Sequence, residues 1–201
     1  MTIMHKNLIK ALLICCCAGL TACAHAKTVK EGADMEQFTS DGNFFTAMVP
    51  KAWAKTERIS AGRQAREFGA DFLGPTSKDG VPARISLTFF GADHDRFTSV
   101  DKYLRINAKP DPDMTVEGEK YGPLTKTKIA GRGASQFEVN TFSFIPPNAV
   151  NPKEVPIYEK HIVVPGKKGG FYVLTYHAPA DIAKANIGVF DAVVKSFKPA
   201  K

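Results

Sequence analysis

Phe171-Tyr172-Val173-Leu174-Thr175-Tyr176-His177-Ala178-Pro179 is the stretch on which the fold turns. Its first seven residues are aromatic, β-branched or leucine save the closing His177, as a largely buried strand requires. Pro179 then suits the first turn of a helix, because its missing N–H would be unpaired there anyway. In that helix Ile182, Val189, Phe190, Val193, Val194 and Phe197 fall on one stripe, and Lys198-Pro199 ends it. A buried strand followed at once by a one-sided helix describes a sheet with a helix laid across it.

Working backwards, Gly166-Lys167-Lys168-Gly169-Gly170 predicts a hairpin turn into Phe171 from a strand over Ile157 to Val164. The proline-rich stretch Pro146 to Pro156 joins that strand to another over Ala134 to Ile145, where Phe137, Val139, Thr141 and Ser143 oppose Glu138, Asn140, Phe142 and Phe144. Gly131-Arg132-Gly133 turns the chain out of a short strand, Leu124 to Ile129. Asp111 to Pro123 is a loop of prolines, glycines and acids, and Val100 to Ala108 has helical spacing with Thr98 or Ser99 as N-cap. Strands are expected at Arg84 to Phe90, Arg66 to Leu73 and Phe44 to Val49, the last stopped by Pro50 and preceded by the turn signal Asp41-Gly42-Asn43. Roughly seven strands between two helices, joined mostly by hairpin-like turns, predict an α+β fold: an antiparallel sheet covered by helices.

The N-terminus predicts a destination. Lys6 and Lys10 flank a basic start, and Ala11 to Leu20 is an uncharged apolar run of ten. As a helix it would rise about 15 Å, half of a roughly 30 Å hydrocarbon core, which fits a signal peptide better than a span. Leu20-Thr21-Ala22-Cys23 resembles the bacterial lipobox, in which the cysteine receives lipid and becomes the new N-terminus. The reading is therefore a lipoprotein signal peptide over residues 1–22, a lipidated tether over 23–37 and one domain over 38–199. Cleavage after Ala24-His25-Ala26 is the alternative. Ala24 stands where an aspartate would resemble an inner-membrane retention signal, so the periplasmic face of the outer membrane is expected.

Composition narrows function. All four cysteines, Cys15, Cys16, Cys17 and Cys23, lie at the N-terminus, so the body of the chain has no disulfide, thiolate metal site or cysteine nucleophile. Losing Lys6 and Lys10 leaves 25 basic against 20 acidic residues, dispersed without a like-charge block, and nucleic acid is not expected as a partner. A mildly basic surface suits anionic headgroups instead.

Two further stretches carry a family resemblance. Phe44-Phe45-Thr46-Ala47-Met48-Val49-Pro50-Lys51-Ala52-Trp53, a strand closing on Val-Pro with tryptophan soon after, resembles the opening of PsbP-like domains. The run Phe171 to Pro179 and the helix ending Val193-Val194-Lys195-Ser196-Phe197-Lys198-Pro199 are similar to that family's last strand and helix. The resemblance implies an αβα sandwich around an antiparallel sheet, non-enzymatic and used in protein association, and places Trp53 between sheet and helix. It carries over no functional residues.

Candidate sites are weak. Gly131-Arg132-Gly133-Ala134-Ser135 misplaces its serine for a nucleophile elbow. Asp93-His94-Asp95 offers metal-ligand types, yet neighbours on extended backbone point apart. Asp111-Pro112-Asp113-Met114-Thr115-Val116-Glu117 begins like an EF-hand loop but has Val116 where glycine is needed, and the Gly166 to Gly170 turn lacks Walker spacing. No catalytic residue, metal or cofactor is expected, and Cys23 is the one functional residue named. The leading reading is an exported, lipid-anchored envelope protein binding another envelope protein or assisting assembly. The alternatives are a hydrolase or metal-dependent enzyme, which a pocket joining His94, His161 or His177 to a carboxylate would favour, and a small-ligand carrier, which a large apolar cavity would indicate. The binding surface is expected on the loops Asp111 to Pro123 and Pro146 to Pro156.

Overall fold

A computed structural model describes residues 34–110 and 117–200. The signal peptide, the lipobox with Cys23, most of the tether and the EF-hand-like residues 111–116 lie outside the described residues. Strands β1 (Met35–Thr39) and β2 (Phe45–Pro50) open the fold around a 3-10 turn at Asp41–Asn43, where the Ser40 hydroxyl accepts from the backbone N–H groups of Phe44 and Phe45. There follow β3 (Ala54–Glu57), α1 (Ile59–Ala65), β4 (Glu67–Thr76), β5 (Pro82–Phe90) and α2 (Val100–Asn107). Then come β6 (Lys120–Tyr121), β7 (Thr125–Ile129), β8 (Arg132–Ile145), β9 (Lys153–Pro165), β10 (Phe171–Pro179), α3 (Ala180–Ser196) and β11 (Lys198–Pro199).

The large sheet runs β3-β4-β5-β10-β9-β8, with β6 and β7 both on the outer side of β8, and every pairing is antiparallel. A second sheet, β1-β2-β11, joins the two ends of the chain: Lys198 pairs with Thr46, and the Ala200 amide donates to the Phe44 carbonyl at 2.7 Å. On one face of the large sheet, Ile85, Leu87, Leu174, Tyr176 and Ile162 pack against Val189, Phe190 and Val193 of α3 and against Phe45 and Val49 of the small sheet. On the other face, Phe90, Phe171, Val173, Val163, Phe137 and Val139 pack beneath Tyr103 and Leu104 of α2. The layers are helix, sheet, helix, the αβα sandwich that the PsbP-like resemblance implies.

β10 reads as a nearly continuous apolar run because both of its faces are covered. β5 alternates instead, with Ala83, Ile85, Leu87 and Phe89 buried toward α3. α2 starts at Val100 because the Ser99 hydroxyl accepts from the Lys102 amide. Trp53 is buried, and a Cβ on Gly74 would sit 2.5 Å from its indole, so glycine is what lets the ring lie flat on β4.

Several boundaries differ from the sequence reading. β1 starts at Met35, three residues ahead of Phe38: only Phe38 of β1 is buried, so Met35 to Gln37 show no apolar period although their backbone pairs with β2. Instead of roughly seven strands and two helices, eleven strands and three helices occur among the described residues. β3 and α1 bury no side chain and so carry no hydrophobic pattern. Two of the remaining additions, β6 and β11, are two residues long. Pro179 ends β10 in extended backbone, and α3 starts at Ala180.

Since no cysteine follows Cys23, folding rests on apolar burial. Phe190, with 0% of its surface exposed, packs on Tyr176 with ring centroids 5.7 Å apart. Phe190→Ala is expected to cost about 3–5 kcal/mol in urea unfolding of the full chain, and neither chelator nor reductant is expected to lower the Tm of the unsubstituted protein.

Candidate functional site

The face of the large sheet that carries α2 is divided. α2 packs on its apolar half, and the register sets a polar group on the other half. Thr175 faces Ser86 of β5 and His161 of β9, while His177 faces Arg84 and Glu159. Asp71 of β4 extends the first row, accepting the Ser86 hydroxyl at 2.5 Å.

Glu159 is the hinge of this group. Its Oε1 accepts from His177 Nδ1 at 2.8 Å and its Oε2 from His161 Nε2 at 2.9 Å. The other nitrogen of His161 lies 3.2 Å from the Tyr103 hydroxyl and 3.4 Å from that of Thr175. These partners assign His161 a proton on Nε2 and an acceptor Nδ1 to which the Tyr103 hydroxyl donates. Its ring also stacks on Phe137, 4.6 Å between centroids and 3° from parallel. Burial by itself would raise the Glu159 carboxyl, but the hydrogen bonds it accepts from His161 and His177 outweigh it and hold the group well below the usual carboxylate range. Burial, reinforced by the Glu159 charge, pushes the Tyr103 phenol up. The result is an anion enclosed by two imidazoles, one of them buttressed by a tyrosine on α2. His177 Nε2 is the ring nitrogen left without a protein partner among the described residues.

The three histidines expected as candidates thus part company. His161 and His177 meet at Glu159, whereas His94 is held mainly by its own loop: Nδ1 accepts from the Arg96 and Phe97 amides, the ring packs edge-on to Phe90, and Nε2 lies 3.9 Å from Glu67 Oε2, beyond hydrogen-bond distance. Asp93 pairs with Arg66 instead of turning toward His94. Among the described residues no three His, Cys, Asp or Glu side chains are arranged to hold a metal ion. Ser135 is buried and receives Lys126 Nζ at 3.1 Å, opposite Lys126 in the β7–β8 ladder and three residues beyond Arg132, where β8 leaves the Ala130-Gly131 turn. Gly169 and Gly170 take positive φ in the β9–β10 turn, where Gly166 donates to the Gly170 carbonyl at 3.0 Å. Glu159, Tyr103, Asp71 and Ser86 were not named from sequence. Glu159 and His161, two apart in a strand, share a face by period; their meeting with His177, 16 residues beyond His161, depends on register.

Two clefts flank the sheet. One, of about 220 Å³, lies between α1 and β4, floored by Gly69, Asp71 and Thr88. The other, of about 300 Å³, lies by the start of α3 and is lined by Tyr158, Lys184 and Ile187. Neither contains Glu159, His161 or His177, and both sit at or below the roughly 300–1,000 Å³ usual for ligand pockets.

No protein-family model matches the chain, and no curated protein does. Among solved structures, cyanobacterial PsbP from Synechocystis superposes with a TM-score of 0.50 at 10% identity, covering 84% of this chain and 94% of that one. A Bacteroides thetaiotaomicron protein gives 0.49 at 14% identity over 83% of this chain, which spans about half of its length, 48%. LpqN of Mycobacterium tuberculosis, described as involved in cell envelope biogenesis, gives 0.47 at 15% identity, covering 84% and 91%. The fold is PsbP-like; at these identities the likeness is one of fold alone.

The cluster has a pH signature. A carboxyl depressed from its ordinary value near 4.5 contributes stability that is fully present above that pH and is lost as pH falls toward the folded-state value. Glu159→Gln is expected to destabilise the protein by about 1.5–3 kcal/mol at pH 7, with the gap to the unsubstituted chain narrowing below pH 4.5 in urea titrations.

Proposed function

We propose that the protein is exported, anchored by lipid at Cys23 on the periplasmic face of the outer membrane, and acts as a non-catalytic domain that binds another envelope protein. The anchor rests on the apolar run Ala11 to Leu20 and on Leu20-Thr21-Ala22-Cys23. The observation that carries the non-catalytic reading is the closure of the histidine–carboxylate group. Both oxygens of Glu159 are occupied by imidazoles, and His161 uses both ring nitrogens internally. General-base catalysis needs such an atom within reach of a substrate proton. Ser86, the hydroxyl held by Asp71, is on β5, with β10 between it and His161 on β9, so about two strand spacings of roughly 4.8 Å separate the possible nucleophile from that base.

The partner-binding surface is assigned to the loop between α2 and β7, whose described end is tied to the sheet by Glu119, accepting from the Thr141 hydroxyl at 2.6 Å. One observation favours the enzyme alternative: His177 meets a carboxylate and keeps Nε2 available.

In full-length protein, Cys23→Ser is expected to abolish the diacyl mass and the membrane fraction. Replacing residues 111–118 by a Gly/Ser link should preserve the Tm and remove crosslinks to envelope proteins. Retention of every crosslink, together with loss of a measured turnover in His177→Ala, would instead establish the enzyme.

A further inference from the structure

The β8–β9 hairpin outruns its sheet. β10 accompanies β9 only as far as Pro179 opposite Ile157, and β6 accompanies β8 only to Asn140. Beyond those points the pairs Phe142–Pro156, Ser143–Val155, Phe144–Glu154 and Ile145–Lys153 continue as a two-stranded arm with no further strand beside it among the described residues. From Thr141 to Pro152 the sequence carries no charge. At the tip Val150 is 96% exposed and Phe144 39%, and Pro146 to Asn151 are all exposed. Within those twelve uncharged residues, Phe144, Ile145, Pro146, Pro147, Ala149 and Val150 gather apolar surface at the tip, the kind of contiguous patch that marks an interaction site.

The topology states where this tip points. β4 runs toward the loop Ser77 to Gly80, whose Asp79 receives Lys153 Nζ at 2.5 Å, so hairpin arm and loop occupy one end of the sheet. β3 starts at that same end, with Ala54 opposite Leu73. Just before it, Lys51 holds Asp34, the first described residue, by a backbone bond of 3.0 Å and an ion pair of 3.0 Å. The chain therefore enters the fold at the end that bears the tip. Ten residues lie between Cys23 and Asp34. Even fully extended, the eleven Cα–Cα steps from Cys23 to Asp34 span at most about 36–40 Å, whereas β8 alone, at 14 residues, extends about 46 Å. An anchor at Cys23 holds the entry end nearest the lipid and keeps the opposite end away. Lys78, exposed in the same loop with no acid partner among the described residues, adds a cation that suits anionic headgroups.

We propose that the tip of the β8–β9 hairpin, Phe144 to Val150, inserts into the headgroup region of the membrane to which Cys23 is anchored. The proposal rests on the anchoring reading above. It makes the loop after β8 a lipid contact and leaves the loop after α2 as the surface for a protein.

The mature chain has no thiol other than the lipidated Cys23, so Val150→Cys creates a single labelling site. Processed, lipidated protein carrying an environment-sensitive dye there, and a second preparation labelled through Lys168→Cys in the turn at the far end of β9 and β10, are reconstituted into protein-free vesicles of phosphatidylethanolamine and phosphatidylglycerol. Expected are a blue shift and quenching by brominated lipid at position 150, with neither at 168. Protein that floats with the vesicles but shows equal signals at both positions overturns the insertion while leaving the anchor in place. Protein that carries no acyl mass and fails to float overturns the anchor, and the insertion with it. A shift at 150 that appears only in native envelope membranes, and not in protein-free vesicles, assigns the tip to a protein and overturns the lipid contact.

Discussion

Burial of both faces of β10 is the constraint on which the remaining architecture depends. A strand with Tyr172, Leu174 and Tyr176 on one side and Phe171 and Val173 on the other cannot lie at an edge or on a half-wetted sheet. It needs a strand on each flank, which β5 and β9 supply, and a cover on each face, which α3 with the small sheet and α2 supply. An aromatic residue buries on the order of 150–250 Å², about 4–6 kcal/mol at roughly 25 cal/mol per Å², so exposing either face would cost an amount comparable with the whole marginal stability of a domain. The other elements are arranged around that requirement.

α2 is only eight residues long, and its brevity creates the site. It covers the apolar half of its face and leaves the polar half to be satisfied from within the sheet. Glu159 is stable there because two hydrogen-bond donors converge on it from its own strand and the next one. Tyr103 links the halves: its ring belongs to the apolar cluster under α2, and its hydroxyl reaches His161. Polar group and helix position are thus coupled, and a change in the protonation of Glu159 would be felt at α2.

How much was legible follows from which forces leave a periodic trace. The strands at β2, β4, β5, β8, β9 and β10 and the helices α2 and α3 bury one side or both, so the apolar spacing of Ile85, Leu87 and Phe89, or of Val189, Phe190 and Val193, discloses them. β3 and α1 are held by backbone pairing and by the left-handed Arg66 that ends α1, with no buried side chain, and such forces are silent in composition. His161 and His177 stood out as residue types. Their convergence on Glu159 is a matter of which residue faces which across β9 and β10, information that resides in pairing register and not in local sequence.

The closure of the small sheet bears on the order in which the chain becomes a protein. β2 lies near the beginning and β11 near the end, with about 150 residues between Thr46 and its partner Lys198, and the central strand β10 itself arrives only after residue 170. Contacts of such long separation are slow to form and cannot form until both members are present. For a chain delivered N-terminus first through a narrow passage, the early hairpin of β4 and β5 can pair as it emerges, but its core-facing side stays bare until the last helix follows. On the proposed export, completion would therefore fall at the final moments of delivery, the chain closing only once it is through.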